Sequence, residues 1–126
     1  MQYLIDTHVA LWVLKGEPIS DMAKKILDDV TAEIYVSIAS AWEIAIKVSV
    51  GKLKYDGGVK AFLEDIELNE FKLLDITEQH IVLVEGLEYH HRDPFDRLLI
   101  ASAKAEGMTM LTADENLHKY DVPFVW

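Results

Sequence analysis

The chain has 126 residues, a formal net charge of −10, 51% hydrophobic side chains and no cysteine. That length suits one domain with a real core and is too short for two, the apolar content excludes a disordered chain, and the missing thiols exclude disulfides and thiolate-bound metals and fit a reducing cytoplasm. The acidity argues against non-specific nucleic-acid binding through a basic surface. No basic leader precedes the first apolar run and no run approaches the roughly 20 apolar residues of a membrane helix, so a cytoplasmic protein without a membrane partner is expected.

Tyr3-Leu4-Ile5 reads as a buried strand ended by Asp6. Thr7 to Leu14 carries Val9, Leu11, Trp12 and Val13 at helical spacing and is stopped by Gly16 and Pro18. Ser20 caps a helix over Asp21 to Asp29 that places Met22, Ile26 and Val30 on one face. Ile34-Tyr35-Val36 is a second strand. Ser37 then caps a helix through Lys47 whose apolar face reads as Trp42, Ala45 and Ile46, with Gly51 beyond its end. Asp56-Gly57-Gly58 turns into a helix over Val59 to Glu67, Phe71 to Leu74 is a third strand, and Thr77 caps a helix running to about Leu87. Asp93-Pro94 is an N-cap followed by proline at the first helical position, opening a helix over Phe95 to Glu106 that Gly107 stops. Met108 to Leu111 is a fourth strand, Asp114 to Tyr120 a short helix, and Val122 to Val125 a last strand. Short apolar strands alternating with helices predict one domain, residues 1–126, built as a three-layer α/β/α sandwich whose parallel sheet is covered on both faces.

In such sheets ligands gather beyond the carboxyl ends of the strands, where strand order reverses. Asp6 directly follows the first strand, and Asp114 lies just past the fourth with Thr112 between. Glu43 sits on the second turn of the helix leaving the second strand, and Asp96 in the first turn of the helix leading into the fourth. Singly, Asp6 and Asp114 read as turn or cap residues, and Asp96 as an acid suited to a helix start. Glu43, between Trp42 and Ile44, has no such plain role. Together the four repel one another unless a cation or a proton holds them, and hard divalent cations prefer such oxygens. Asp93 is either a further ligand or a helix cap, and the proline behind it favours the cap.

Thr7 and Thr112 stand beside proposed ligands and suit orienting them, whereas Ser37 and Ser40 read as caps. His8, His90 and His91 lack the spacing of a zinc site and read as surface or structural residues. Lys47, Lys52 and Lys54, with Arg92 and Arg97, read either as solvated charge or as phosphate contacts. Arg97 equally suits a salt bridge to Asp96. Trp12 and Trp42 read as packing residues.

Four segments now carry a resemblance: Leu4-Ile5-Asp6-Thr7-His8, Ser40 to Lys47, Asp93-Pro94-Phe95-Asp96-Arg97-Leu98-Leu99-Ile100-Ala101, and Leu111-Thr112-Ala113-Asp114. In order and spacing, over essentially the whole chain, they resemble the motifs of PIN domains, with the strongest likeness to VapC-type toxins of prokaryotic type II toxin–antitoxin pairs. The resemblance implies a Mg²⁺- or Mn²⁺-dependent endoribonuclease that leaves 5′-phosphate and 3′-hydroxyl ends. It implies Asp6 and Asp96 as primary metal ligands, Glu43 holding a second metal or orienting the attacking water, and Asp114 acting directly or through water. It further implies an RNA substrate, a homodimer, and an antitoxin segment in a groove between the early helices, for which Leu11, Trp12, Leu14, Met22, Ile26 and Leu27 are the candidate lining. Other readings remain open. A PIN nuclease of RNA maturation shares the same site, and a PIN fold used only for binding would lack acids that are all present here. A phosphoacceptor receiver domain would want a lysine near the last strand, and Val122 to Trp126 has none.

Overall fold

Side chains alternate along each strand, and that alternation builds two cores rather than one. The computed structural model describes residues 1–126. Its sheet contains β1 (Gln2–Ile5), β2 (Glu33–Ser37), β3 (Lys72–Leu74), β4 (Thr109–Leu111) and β5 (Phe124–Val125), all parallel, in the order β3-β2-β1-β4-β5. Ile5 lies opposite Val36 on one side and Leu111 on the other. These three enter a core with Val9 and Ala10 of α1 (Thr7–Leu14), Ile26 of α2 (Asp21–Asp28), Ala41 and Ile44 of α3 (Ile38–Ser49), and Phe62 and Ile66 of α4 (Gly58–Leu68). Their strand neighbours Leu4 and Met110 point the other way. There they meet Leu99, Ile100 and Ala103 of α6 (Pro94–Glu106) and Leu117 of α7 (Glu115–His118), with Leu87 just beyond α5 (Glu78–Gly86). The result is the three-layer α/β/α sandwich the sequence predicts.

Local chemistry sets the helix ends. Ser20 accepts the Ala23 N–H and Ser37 the Ala39 N–H, both at 3.0 Å. Thr77 and His80 form a reciprocal capping box with both bonds at 3.2 Å, a ring nitrogen standing where glutamate is usual. Gly107 ends α6 at φ 66°, a left-handed conformation that favours glycine.

Four readings need correction. Val30 does not share the face of Ile26: α2 ends at Asp28, and Asp29 accepts both the N–H and the hydroxyl of Thr31, which leaves Val30 98% exposed at the tip of the turn. On α3 the large residues Trp42 and Ile46 face outward, while Ala41, Glu43 and Ile44 are buried. Glu43 turns inward because polar partners from α1 and from its own helix await it there. Finally, a receiver domain orders its strands 2-1-3-4-5, with β1 between β2 and β3. Here β1 lies between β2 and β4, which removes that reading. Edge strand β3 is also less covered than expected, with Lys72 and Leu73 exposed. No helix is long and apolar enough to cross a membrane.

Candidate functional site

Strand order reverses at β1, whose two neighbours β2 and β4 lead the chain in opposite directions across the sheet. Asp6 emerges at the carboxyl end of β1, only 3% exposed. Its Oδ1 accepts the Val9 N–H at 2.8 Å and so caps α1, while Oδ2 accepts the hydroxyl of Thr112, the first residue past β4. The same hydroxyl oxygen accepts the Asp114 N–H at 3.0 Å, so Thr112 ties Asp114 to Asp6. Asp114 in turn caps α7 by accepting the Asn116 N–H at 2.9 Å. Asp6, His8, Trp12, Ala113 and Asp114 line a shallow depression of about 230 Å³.

Glu43 is 4% exposed and fully partnered. Its Oε1 lies 2.9 Å from the Thr7 hydroxyl, which lies 2.8 Å from the Ser40 hydroxyl. An ionised carboxylate can only accept, so Thr7 donates to Glu43 and Ser40 donates to Thr7. Oε2 pairs with Lys47 at 2.8 Å, one helical turn on. The threonines therefore work crosswise. Thr7 follows Asp6 in sequence but steadies Glu43, while Thr112 precedes Asp114 but steadies Asp6. Ser40 is a link in this chain of hydroxyls rather than a cap.

Asp96 opens α6, and its Oδ2 lies 3.2 Å from Nε2 of His91. Asp93 is the N-cap: its Oδ1 accepts the N–H groups of Phe95 at 2.9 Å and Asp96 at 3.1 Å. Arg97 does not pair with Asp96 and does not face solvent. It is buried, donating to the Glu88 carbonyl at 2.9 Å and the Tyr120 hydroxyl at 3.0 Å, with its guanidinium 4.5 Å from the centre of the Tyr89 ring. Further carbonyls of Val84 and Leu87 lie at 3.4 and 3.5 Å, so Arg97 closes the end of α5. Lys52, Lys54 and Arg92 are exposed. Trp42 is 60% exposed and meets Phe95 edge-on, with ring centres 5.2 Å apart. His91 is a structural residue, but its link from Tyr120 to Asp96 is not visible in metal-ligand spacing. The signal the sequence does carry is the proximity of His91 to Asp96, five residues on.

Electrostatics links these fragments. Burial pushes the Asp6 carboxyl above its ordinary range and Asp114 adds to this, against the opposing pull of Thr112, the Val9 N–H and His8. Asp96 is pushed up to about 6, first by burial and then by Asp93, with Asp114 and Glu43 adding and the His91 bond opposing. The four acids thus share one negative field. No three His, Asp or Glu side chains are gathered closely enough to hold an ion as they stand. The donor set is nevertheless that of a hard divalent cation: carboxylate oxygens, no thiolate, and no lysine or arginine paired with Asp6 or Asp96.

Leu11, Trp12, Leu14 and Leu27, four of the six candidates for a groove between early helices, pack half-buried against the first core. Ile26 belongs to the core and Met22 is half exposed. Leu27 lines a depression of about 460 Å³ with Val13 and Ile19. Leu14 lines another of about 390 Å³ with Tyr55 and Asp65.

A model of the PIN domain matches residues 3–123. No curated protein matches the chain. Among solved structures it is similar to VapBC2 from Rickettsia felis bound to a DNA fragment from the promoter, with a TM-score of 0.74 and 18% identity over 99% of this chain and 98% of that one. VapBC-1 from nontypeable Haemophilus influenzae gives a TM-score of 0.74 at 16% identity over 99% and 97%. FitAcB from Neisseria gonorrhoeae gives 0.60 at 20% identity over 98% and 96%. At such identities the likeness is one of fold.

Proposed function

Because the chain belongs to the PIN-domain family, we propose that it is a Mg²⁺- or Mn²⁺-dependent endoribonuclease and the toxin of a type II toxin–antitoxin pair. The observation that carries this reading is Asp6: a carboxylate buried at the reversal of strand order, held by neutral donors alone, with three more acids in the same field. A site of that kind favours a cation.

In this reading Asp6 and Asp96 would hold the metal, Glu43 would hold a second ion or orient the attacking water, and Asp114 would act directly or through water. A divalent ion bound there would lower the pKa of water and offset charge on the scissile phosphate. The chain's own residues prepare that chemistry. The Val9 N–H and the Thr112 hydroxyl fix the rotamer of Asp6, while the Ser40–Thr7 relay fixes Glu43. Lys47 neutralises Glu43 in the metal-free protein. The partners, an antitoxin and a second copy of the chain, are proposed from the whole-chain likeness in fold to the VapBC and FitAcB structures.

The test is RNA cleavage with Mn²⁺ or Mg²⁺, with and without EDTA, for wild type, Asp6→Asn and Asp96→Asn. Metal-dependent cleavage lost in both variants is expected; cleavage undiminished in both contradicts the site. For the toxin role, wild-type expression should arrest growth and Asp6→Asn should not.

A further inference from the structure

The segment between α5 and α6 carries a chain of hydrogen bonds whose direction is fixed from its ends. Arg97 has no acceptor atom, so at 3.0 Å it must donate to the Tyr120 hydroxyl oxygen. An ionised Asp96 can only accept, so Nε2 of His91, 3.2 Å from its Oδ2, carries the ring proton. Nδ1 of the neutral ring is then bare and accepts the Tyr120 hydroxyl proton at 2.8 Å. The relay is enclosed: Arg97 and Tyr120 are buried, and the side chains of His91 and Asp96 are 13% and 15% exposed. Two histidine rings also pack against Tyr120. The His90 ring meets it edge-on at 4.7 Å and the His91 ring at 5.5 Å. Tyr120 comes from beyond α7 and packs in the same core layer as Leu99 and Ile100 of α6, so the relay pins the loop before α6 to a segment 29 residues on.

Resting on the metal-site reading above, we propose that His91 is a positioning residue for Asp96. Held by Tyr120 and Arg97, it donates Nε2–H to Oδ2 and so fixes the carboxylate with Oδ1, which takes no hydrogen bond, turned free for the metal. An outer partner that orients a ligating carboxylate typically changes metal affinity or activity about 10- to 100-fold. Nothing else in the structure donates to the Asp96 side chain.

The experiment is a calorimetric Mn²⁺ titration of the full chain, wild type against His91→Ala, His91→Gln and Tyr120→Phe, with the melting temperature of each in EDTA as a control on folding. His91→Ala should bind Mn²⁺ about 10-fold or more weakly while remaining folded in EDTA at the temperature of the titration. His91→Gln, which keeps an N–H at similar reach, should recover much of that loss. Tyr120→Phe keeps the ring and should weaken binding less than His91→Ala but in the same direction. Wild-type affinity in a folded His91→Ala overturns the positioning role while leaving the metal site standing. A wild type that binds no Mn²⁺ overturns both.

Discussion

Asp6 and Glu43 are buried to nearly the same degree, 3% and 4% exposed, yet their surroundings differ in kind. Glu43 has a lysine at 2.8 Å and a hydroxyl at 2.9 Å, so its charge is answered within its own chain. Asp6 has a hydroxyl and a backbone N–H, both neutral, with Asp114 nearby making matters worse. The lesson is that equal burial leaves two acids with different needs. The partners of Asp6 orient its carboxylate without neutralising it, which suits the primary metal-binding role proposed for it, whereas Glu43 already has a cation of its own.

The largest effect that could break this contrast is on cleavage. Asp6→Asn or Asp96→Asn should lower it by more than the roughly 100-fold associated with losing an outer partner. A single-turnover assay at saturating Mn²⁺ measures this. Next comes metal-linked stability: at 100 times its dissociation constant a ligand stabilises the fold by about 2.7 kcal/mol. Urea unfolding should show that gain in wild type and not in Asp6→Asn.

The third effect is pH dependence without metal. The folded state raises the Asp96 carboxyl from 3.8 to about 6, so folding favours the protonated form. Stability is therefore fullest below the ordinary carboxylate range and falls as pH rises through about 6. Allowing for partial screening, the loss is on the order of 2 kcal/mol. It is read as the difference between wild type and Asp96→Asn unfolded in EDTA across that window. The smallest effect belongs to Glu43→Gln. It keeps the Thr7 contact and frees Lys47, whose side chain is already 39% exposed, so it should cost about 1 kcal/mol or less in equilibrium unfolding. A loss as large as that of a core deletion would mean that Glu43 is the structural acid of the pair.

What the sequence made legible was local or periodic. Asp93-Pro94, Ser37 and Gly107 declare helix ends through chemistry within a few residues, and the structure places each as read. Short apolar strands between helices announced the parallel sheet. The acids stood out because each adjoins a strand end or a helix start. What stayed hidden depends on distant partners. The inward turn of Glu43 rests on Thr7, 36 residues away. The burial of Arg97 rests on the end of α5 and on Tyr120, 23 residues on. The role of His91 passes through that same tyrosine, 29 residues from it. No period or spacing in the chain encodes such meetings, and size alone misjudged the buried face of α3.

The most direct test of the central claim is thermal melting of wild type and Asp6→Asn near neutral pH, each in EDTA and in millimolar Mn²⁺. Asparagine caps a helix as well as aspartate does, so removing the charge should relieve strain without removing the cap. The account predicts that Asp6→Asn melts above wild type in EDTA and gains nothing from Mn²⁺, while wild type rises by several degrees. A variant that melts below wild type in EDTA and gains as much from Mn²⁺ would contradict it.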